Sequence, residues 1–76
     1  MKITVYSTPT CPFCKQAKAF FDERNVIYTD IDVTKDHGKA EEMIKLSGQM
    51  GVPVIDIDGT IIIGFDQPEV EKALKK

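Results

Sequence analysis

"STPTCPFCKQAKAFF", Ser7 to Phe21, holds both cysteines of the chain, two residues apart with a proline between them. The thiols stand where a β-branched run ends and a helical period begins, which orders the first two elements of the fold. Upstream, "KITVY" (Lys2–Tyr6) is rich in β-branched residues and reads as a short strand. Downstream, Phe13, Ala17, Phe20 and Phe21 recur at i, i+4, i+7 and i+8, one face of a helix. Lys15, Lys18, Asp22 and Glu23 lie mostly off that face. Pro12 lacks an amide hydrogen and has its backbone angle preset, which suits the first helical position. Cys11 then falls at the helix cap.

The rest of the chain supplies partners for this strand–helix unit. "NVIYTDIDV" (Asn25–Val33) reads as a second strand, and its near-continuous apolar character suits a buried parallel neighbour for the first. Thr34 can cap a second helix with apolar positions Ala40, Met43 and Ile44, ended by Gly48. "PVIDIDGTIII" (Pro53–Ile63) is a hairpin about the favoured turn Asp58-Gly59. Asp66 and Glu69 have the spacing of a capping box for a third helix, and Phe65 and Val70 that of a hydrophobic staple. The order β-α-β-α-β-β-α predicts one α/β domain over residues 1–76, a four-stranded mixed sheet flanked by helices on both faces.

At 76 residues with two cysteines, no framework of disulfides can staple the domain, so regular packing must hold it. Hydrophobic residues at 42% and charged residues at 29% place it among soluble globular domains. A net charge of -2 argues against nucleic acid or an anionic membrane as partner. No apolar run approaches the roughly 18 residues of a membrane span. The start "MKITVYSTPT" does not read as a secretory signal. The expected setting is therefore the reducing cytoplasm, where a disulfide is more often catalytic or sensing than structural.

Three uses of the cysteine pair can be weighed. A structural disulfide over two intervening residues closes too small a loop to gain much entropy. A zinc site wants four ligands, and the other obvious donor, His37, sits in the polar "TKDHGK" segment and reads as solvated. A metal or iron–sulfur carrier would need two chains to pool cysteines such as Cys11. Thiol–disulfide exchange fits the context of a strand before and a helix starting at the first Cys. Unpaired amides and the helix dipole converge on Cys11 and favour its charged form, with Lys15 and Lys18 read as solvated. Cys14, one turn further in, is less accessible yet close enough to attack a mixed disulfide on Cys11.

Other residues remain open on sequence grounds. Phe13 belongs either to the core stripe or to an exposed rim between the cysteines. Asp30, Asp32 and Asp56 read as solvent-facing residues at sheet edges or strand ends. In "GVPV" (Gly51–Val54), Pro53 is either an ordinary strand-start proline or a cis proline that frees the Val52 backbone for an extended substrate.

The chain resembles a glutaredoxin, within the thioredoxin-fold superfamily, over essentially its whole length. The resemblance rests on "TCPFC" (Thr10–Cys14), "GVPVIDIDG" (Gly51–Gly59) and "GFDQ" (Gly64–Gln67). It implies a thioredoxin fold, Cys11 as nucleophile, Cys14 as resolver, and Val52-Pro53 as a cis-proline element beside them. Pro12, Phe13, Gly64, Phe65, Asp66 and Gln67 are the further substrate contacts that it implies. No tightly bound cofactor is implied; glutathione is a possible reductant, and a protein disulfide or glutathione mixed disulfide is the substrate of an expected monomer.

Thioredoxin itself is a poorer match, since the chain has no Trp and Val5 replaces that family's buried aspartate. Departures from the glutaredoxin pattern concern glutathione. Thr8 and Gln49 stand where basic residues hold the glycyl carboxylate, Gly51 replaces a Thr, and Ile63-Gly64 replaces a Gly pair. Asp66 and the amides after it match the γ-glutamyl end of the site. Two lost charge-assisted contacts, each worth roughly 1.5–3 kcal/mol, weaken glutathione binding by orders of magnitude. Similar departures, and the "GFDQPE" turn (Gly64–Glu69), resemble glutaredoxin-like proteins that take electrons from thioredoxin reductase, one of them a hydrogen donor for ribonucleotide reductase, and equally resemble short bacterial glutaredoxin-like proteins of unassigned partner.

Overall fold

The computed structural model describes residues 2–49 and 51–75, and its elements follow the expected order. They are β1 (Ile3–Ser7), α1 (Pro12–Glu23), β2 (Thr29–Asp32), α2 (His37–Ser47), β3 (Val54–Ile57), β4 (Thr60–Ile63) and α3 (Gln67–Leu74). The four strands form one sheet in the order β2-β1-β3-β4. β1 pairs parallel with β2 from Thr4↔Thr29 to Ser7↔Asp32, and antiparallel with β3 from Ile3↔Ile57 to Tyr6↔Val54. The β3–β4 hairpin turns through Asp58 (φ 50) and Gly59 (φ 93), the positive angles that a tight hairpin turn requires. Asp56 Oδ1 accepts the Gly59 N–H at 2.8 Å and closes that turn.

Alternation along the strands divides the apolar residues between two cores. Ile3, Val5, Ile55, Ile57 and Ile62 meet Ala17, Phe20 and Phe21 of α1 and Val70 and Ala73 of α3. Tyr6 and Val54 point the other way and pack with Met43 of α2. The aromatic contacts tie the first core together: Phe20 lies edge-on to Phe21 (5.7 Å) and to Phe65 (5.5 Å). Helices therefore cover both faces, as the element order requires.

Three local readings are corrected. The second strand is not the buried run Asn25–Val33 but the four residues of β2, whose Thr29 and Asp30 are exposed. β2 is an edge because β3 takes the other side of β1. The apolar residues before it serve a connection: Val26 and Tyr28 pack onto the α1–α3 core, while Ile27 is 90% exposed.

The second correction concerns the cap of α2, which is Asp36 rather than Thr34. Asp36 Oδ1 accepts the Lys39 N–H at 3.1 Å. Thr34 instead donates its amide and hydroxyl to Asp32 Oδ1, and the hydroxyl bond leads the causes that hold the Asp32 carboxyl below its ordinary range. Third, Phe13 leaves the core stripe and is 59% exposed, the rim alternative.

The starts of α1 and α3 and the end of α2 agree with expectation. Pro12 opens α1 after Cys11, Gly48 closes α2 at φ 74, and Asp66 caps α3 by accepting the Glu69 N–H at 3.4 Å. The end of α1 was not anticipated. Asn25 adopts φ 55, its N–H bonds Asp22 O, and the Val26 N–H bonds Phe21 O, a complete Schellman arrangement built on Asn.

Candidate functional site

The site begins where β1 hands the chain to α1. The first amides of a helix have no carbonyl partner within it, so a side chain at the cap must receive them. Here the acceptor is sulfur: the Cys14 N–H points to Cys11 Sγ at 3.2 Å. That amide and the positive end of the helix dipole both face the Cys11 sulfur. The Cys11 thiol in turn reaches the carbonyl oxygen of Val52 at 3.8 Å.

Cys14 has a different environment. It is 0% exposed, and burial leads the causes that push its thiol up to about 11. The hydrogen bond shared with Cys11 acts in the same direction, while the Thr8 backbone and the Lys18 charge oppose it. Both cysteines are free thiols. The chain thus places an accessible thiol at a helix cap and a buried one a turn behind it.

Two further segments close around Cys11. The Val52-Pro53 peptide bond is cis, which leaves the Val52 carbonyl beside the sulfur. The Pro53 carbonyl accepts the Gly64 N–H at 2.8 Å and so fastens the β4–α3 turn to the same spot. Gly64 has φ 75, a left-handed angle that glycine adopts without strain.

Phe13, Val52, Pro53, Ile63, Gly64, Phe65, Asp66, Gln67 and Pro68 line one open groove beside the pair. Eight of the ten residues singled out from the sequence therefore meet at Cys11 or in this groove, and Cys14 lies behind Cys11. Pro12 is exposed next to Cys11 and does not line the groove. Thr8 accepts the Cys11 N–H through its carbonyl, and the Gln49 side chain turns to the Gly51 carbonyl. Among the described lining residues the one charged side chain is that of Asp66.

Sequence reasoning missed Ile63 and Pro68 as walls of the groove. The usable signal was position: the Pro53–Ile63 hairpin and the α3 cap both border "GFDQ", so their nearest residues had to flank it. Lys18 also departs from the solvated side chain expected of it. It is held by Asp30, its Nζ 3.1 Å from Asp30 Oδ2. His37 is exposed at the start of α2, and no cluster of three or more His, Cys, Asp or Glu side chains assembles as a metal-holding group among the described residues.

Comparison with known proteins agrees with this geometry. The sequence model of the family described as Glutaredoxin matches residues 3–62. A glutaredoxin-like 8.6 kDa protein in the rubredoxin operon of Clostridium pasteurianum is 49% identical over 97% of this chain and 99% of its own. Glutaredoxin 3 of Escherichia coli K12 is 39% identical over 84% of this chain and 77% of its own. Among solved structures, a mutant of the thioredoxin-like protein BC3987 superposes with a TM-score of 0.92 at 32% identity, covering 97% of this chain and 95% of that one. With the family pattern matched from β1 into β4 and a relative aligned nearly end to end, the chain belongs to the glutaredoxin family, on a thioredoxin fold, with a function of the thiol–disulfide oxidoreductase type.

Proposed function

We propose that this protein is a dithiol oxidoreductase that reduces protein disulfides, or glutathione mixed disulfides, through Cys11 and Cys14. The observation that carries the reading is the division of the two thiols. Cys11 accepts the Cys14 N–H at a helix cap while Cys14 is 0% exposed behind it. In the first step Cys11 thiolate attacks a substrate sulfur, forming a mixed disulfide and expelling the other substrate sulfur as a thiolate. Cys14 then loses its proton and attacks Cys11 Sγ, so that a Cys11–Cys14 disulfide forms and the second substrate thiolate leaves. Two electrons pass from the dithiol to the substrate, and a reductant must return them.

The substrate is held along the groove, its backbone against the Val52 carbonyl and its side chains against Phe13 and Ile63. An extended peptide gains main-chain hydrogen bonds from such an edge and specificity from the apolar walls. Glutathione is the smaller occupant. Its γ-glutamyl end matches Asp66 and the first amides of α3, but its glycyl carboxylate meets uncharged Thr8 and Gln49. The uncharged Thr8 and Gln49, with the resemblance of the Gly64–Glu69 turn, favour a flavoprotein reductase of the thioredoxin reductase kind over glutathione as the reductant.

Turnover of a protein disulfide such as insulin tests the assignment. Cys11→Ser must abolish reduction, and retained turnover in that variant contradicts the proposal. Cys14→Ser must lose dithiol turnover while still forming a mixed disulfide.

A further inference from the structure

A chain of contacts links the end of β1 through β2 to α1, the helix that carries Cys14, and the reduction chemistry proposed above leaves it without a task. Ser7, the last residue of β1, is 2% exposed, and its hydroxyl donates to Asp30 Oδ1 at 2.7 Å. The other oxygen of that carboxylate takes Lys18 Nζ at 3.1 Å. Lys18 follows Cys14 by four residues on α1, the spacing at which side chains share one helix face. Its side chain is 25% exposed, whereas Lys15 is an exposed residue.

Exposed ion pairs on their own contribute little, because two long side chains must be held together in water. This pair differs, since a buried hydroxyl anchors the carboxylate and the carboxylate anchors the ammonium. The cation is thereby kept along the helix face that carries the buried thiol.

We infer that Lys18, held by Asp30 and Ser7, is a positioning residue that favours the Cys14 thiolate during attack on the mixed disulfide. The inference rests on the proposed role of Cys14 as resolver. The groups that act on Cys14 are Cys11 at the cap of α1, Lys18 on α1 and the Thr8 backbone just after β1; Asp30 of β2 faces Lys18. When Cys11 enters the mixed disulfide, its sulfur carries no charge and takes no proton from Cys14. Burial then remains as the main obstacle to ionising Cys14, opposed first by the Thr8 backbone and then by the Lys18 charge, the one cation among these groups. In the step itself the Cys14 S–H proton goes to solvent, the Cys14–Cys11 bond forms, the Cys11–substrate bond breaks, and the leaving thiolate carries away the electron pair.

Two measurements test this. In a Cys11→Ser background the Cys14 thiolate is titrated by its ultraviolet absorbance, with and without Lys18→Gln. Loss of the cation is expected to raise the midpoint by about 0.5–1 unit, and Lys18→Arg to restore it. In the dithiol protein, rapid mixing with insulin and acid quenching follows formation and decay of the mixed disulfide. A shift of that size lowers the thiolate fraction ~3- to 10-fold near neutral pH, and the greater nucleophilicity of a more basic thiolate returns part of it. Lys18→Gln should therefore slow decay about 2- to 4-fold, and its pH profile should move upward with the titration.

Formation of the mixed disulfide by Cys11 should be unchanged in the same variant. An unmoved Cys14 titration, or equal slowing of both steps, overturns the role of Lys18. A wild-type protein that turns over without any mixed disulfide on Cys11 overturns the site assignment itself, a separate result visible before Lys18 is altered.

Discussion

Two thiols of one chemical type differ here because of where a helix begins. Cys11 stands at the cap of α1 with an amide pointed at its sulfur; Cys14 stands a turn inside with no exposed surface. The consequence extends to stability. Folding raises the Cys14 thiol from its ordinary 9.0 to about 11, so between those values the unfolded chain has lost a proton that the folded chain still holds. Stability of the dithiol form is therefore fully present below pH 9 and falls as pH rises towards 11. Tyr6 and Tyr28, both raised above 10.0 chiefly by burial, add to the decline above pH 10. Chemical denaturation across pH 8–10 should show that Cys14→Ser flattens the part of the decline that starts near pH 9. Alkylation gives a second check at this scale: at neutral pH, iodoacetamide should modify Cys11 and leave Cys14 largely unmodified until the protein is unfolded.

Elements were legible to the extent that local chemistry specified them. The α1 start could be read because Pro12 has a single good place in a helix, and the hairpin because Asp58-Gly59 supplies two positive φ angles. The second strand was misjudged because apolar character says that Val26 and Tyr28 are buried but not against what. They pack on the helices, and strand pairing starts only at Thr29 where β1 offers a partner. The α2 cap was missed because Thr34 and Asp36 both suit a cap, and the turn through Asp32 decides between them. Asp36→Ala should therefore lower stability by about 1 kcal/mol, measured by thermal or urea unfolding. Gly48→Ala should also destabilise, by roughly 1 kcal/mol, through its left-handed φ alone, since a Cβ there meets nothing within 4 Å.

At the scale of the whole molecule, the sheet brings together segments separated by forty residues in sequence. Sequence could name the CPFC, Val-Pro and Gly-Phe-Asp segments, but only the structure shows the first two meeting through Cys11 Sγ and the Val52 carbonyl, and the last two fastened by the Gly64 N–H to Pro53 carbonyl bond. It also shows that the lining they share carries Asp66 as its one charged side chain among the described residues. Adding the missing cations, Thr8→Lys with Gln49→Lys, should accelerate reduction of the oxidised protein by glutathione at least ~10-fold, the size of one charge-assisted contact. A stopped-flow assay of disulfide reduction reads that change directly.

In the proposed reaction Cys11 attacks and Cys14 resolves. Its most direct measurement is peptide mapping by mass spectrometry after Cys14→Ser protein is mixed with an oxidised substrate such as insulin. A stable mixed disulfide is expected on Cys11, absent from the Cys11→Ser variant. An adduct carried by Cys14 in Cys11→Ser, with none on Cys11 in Cys14→Ser, would contradict it.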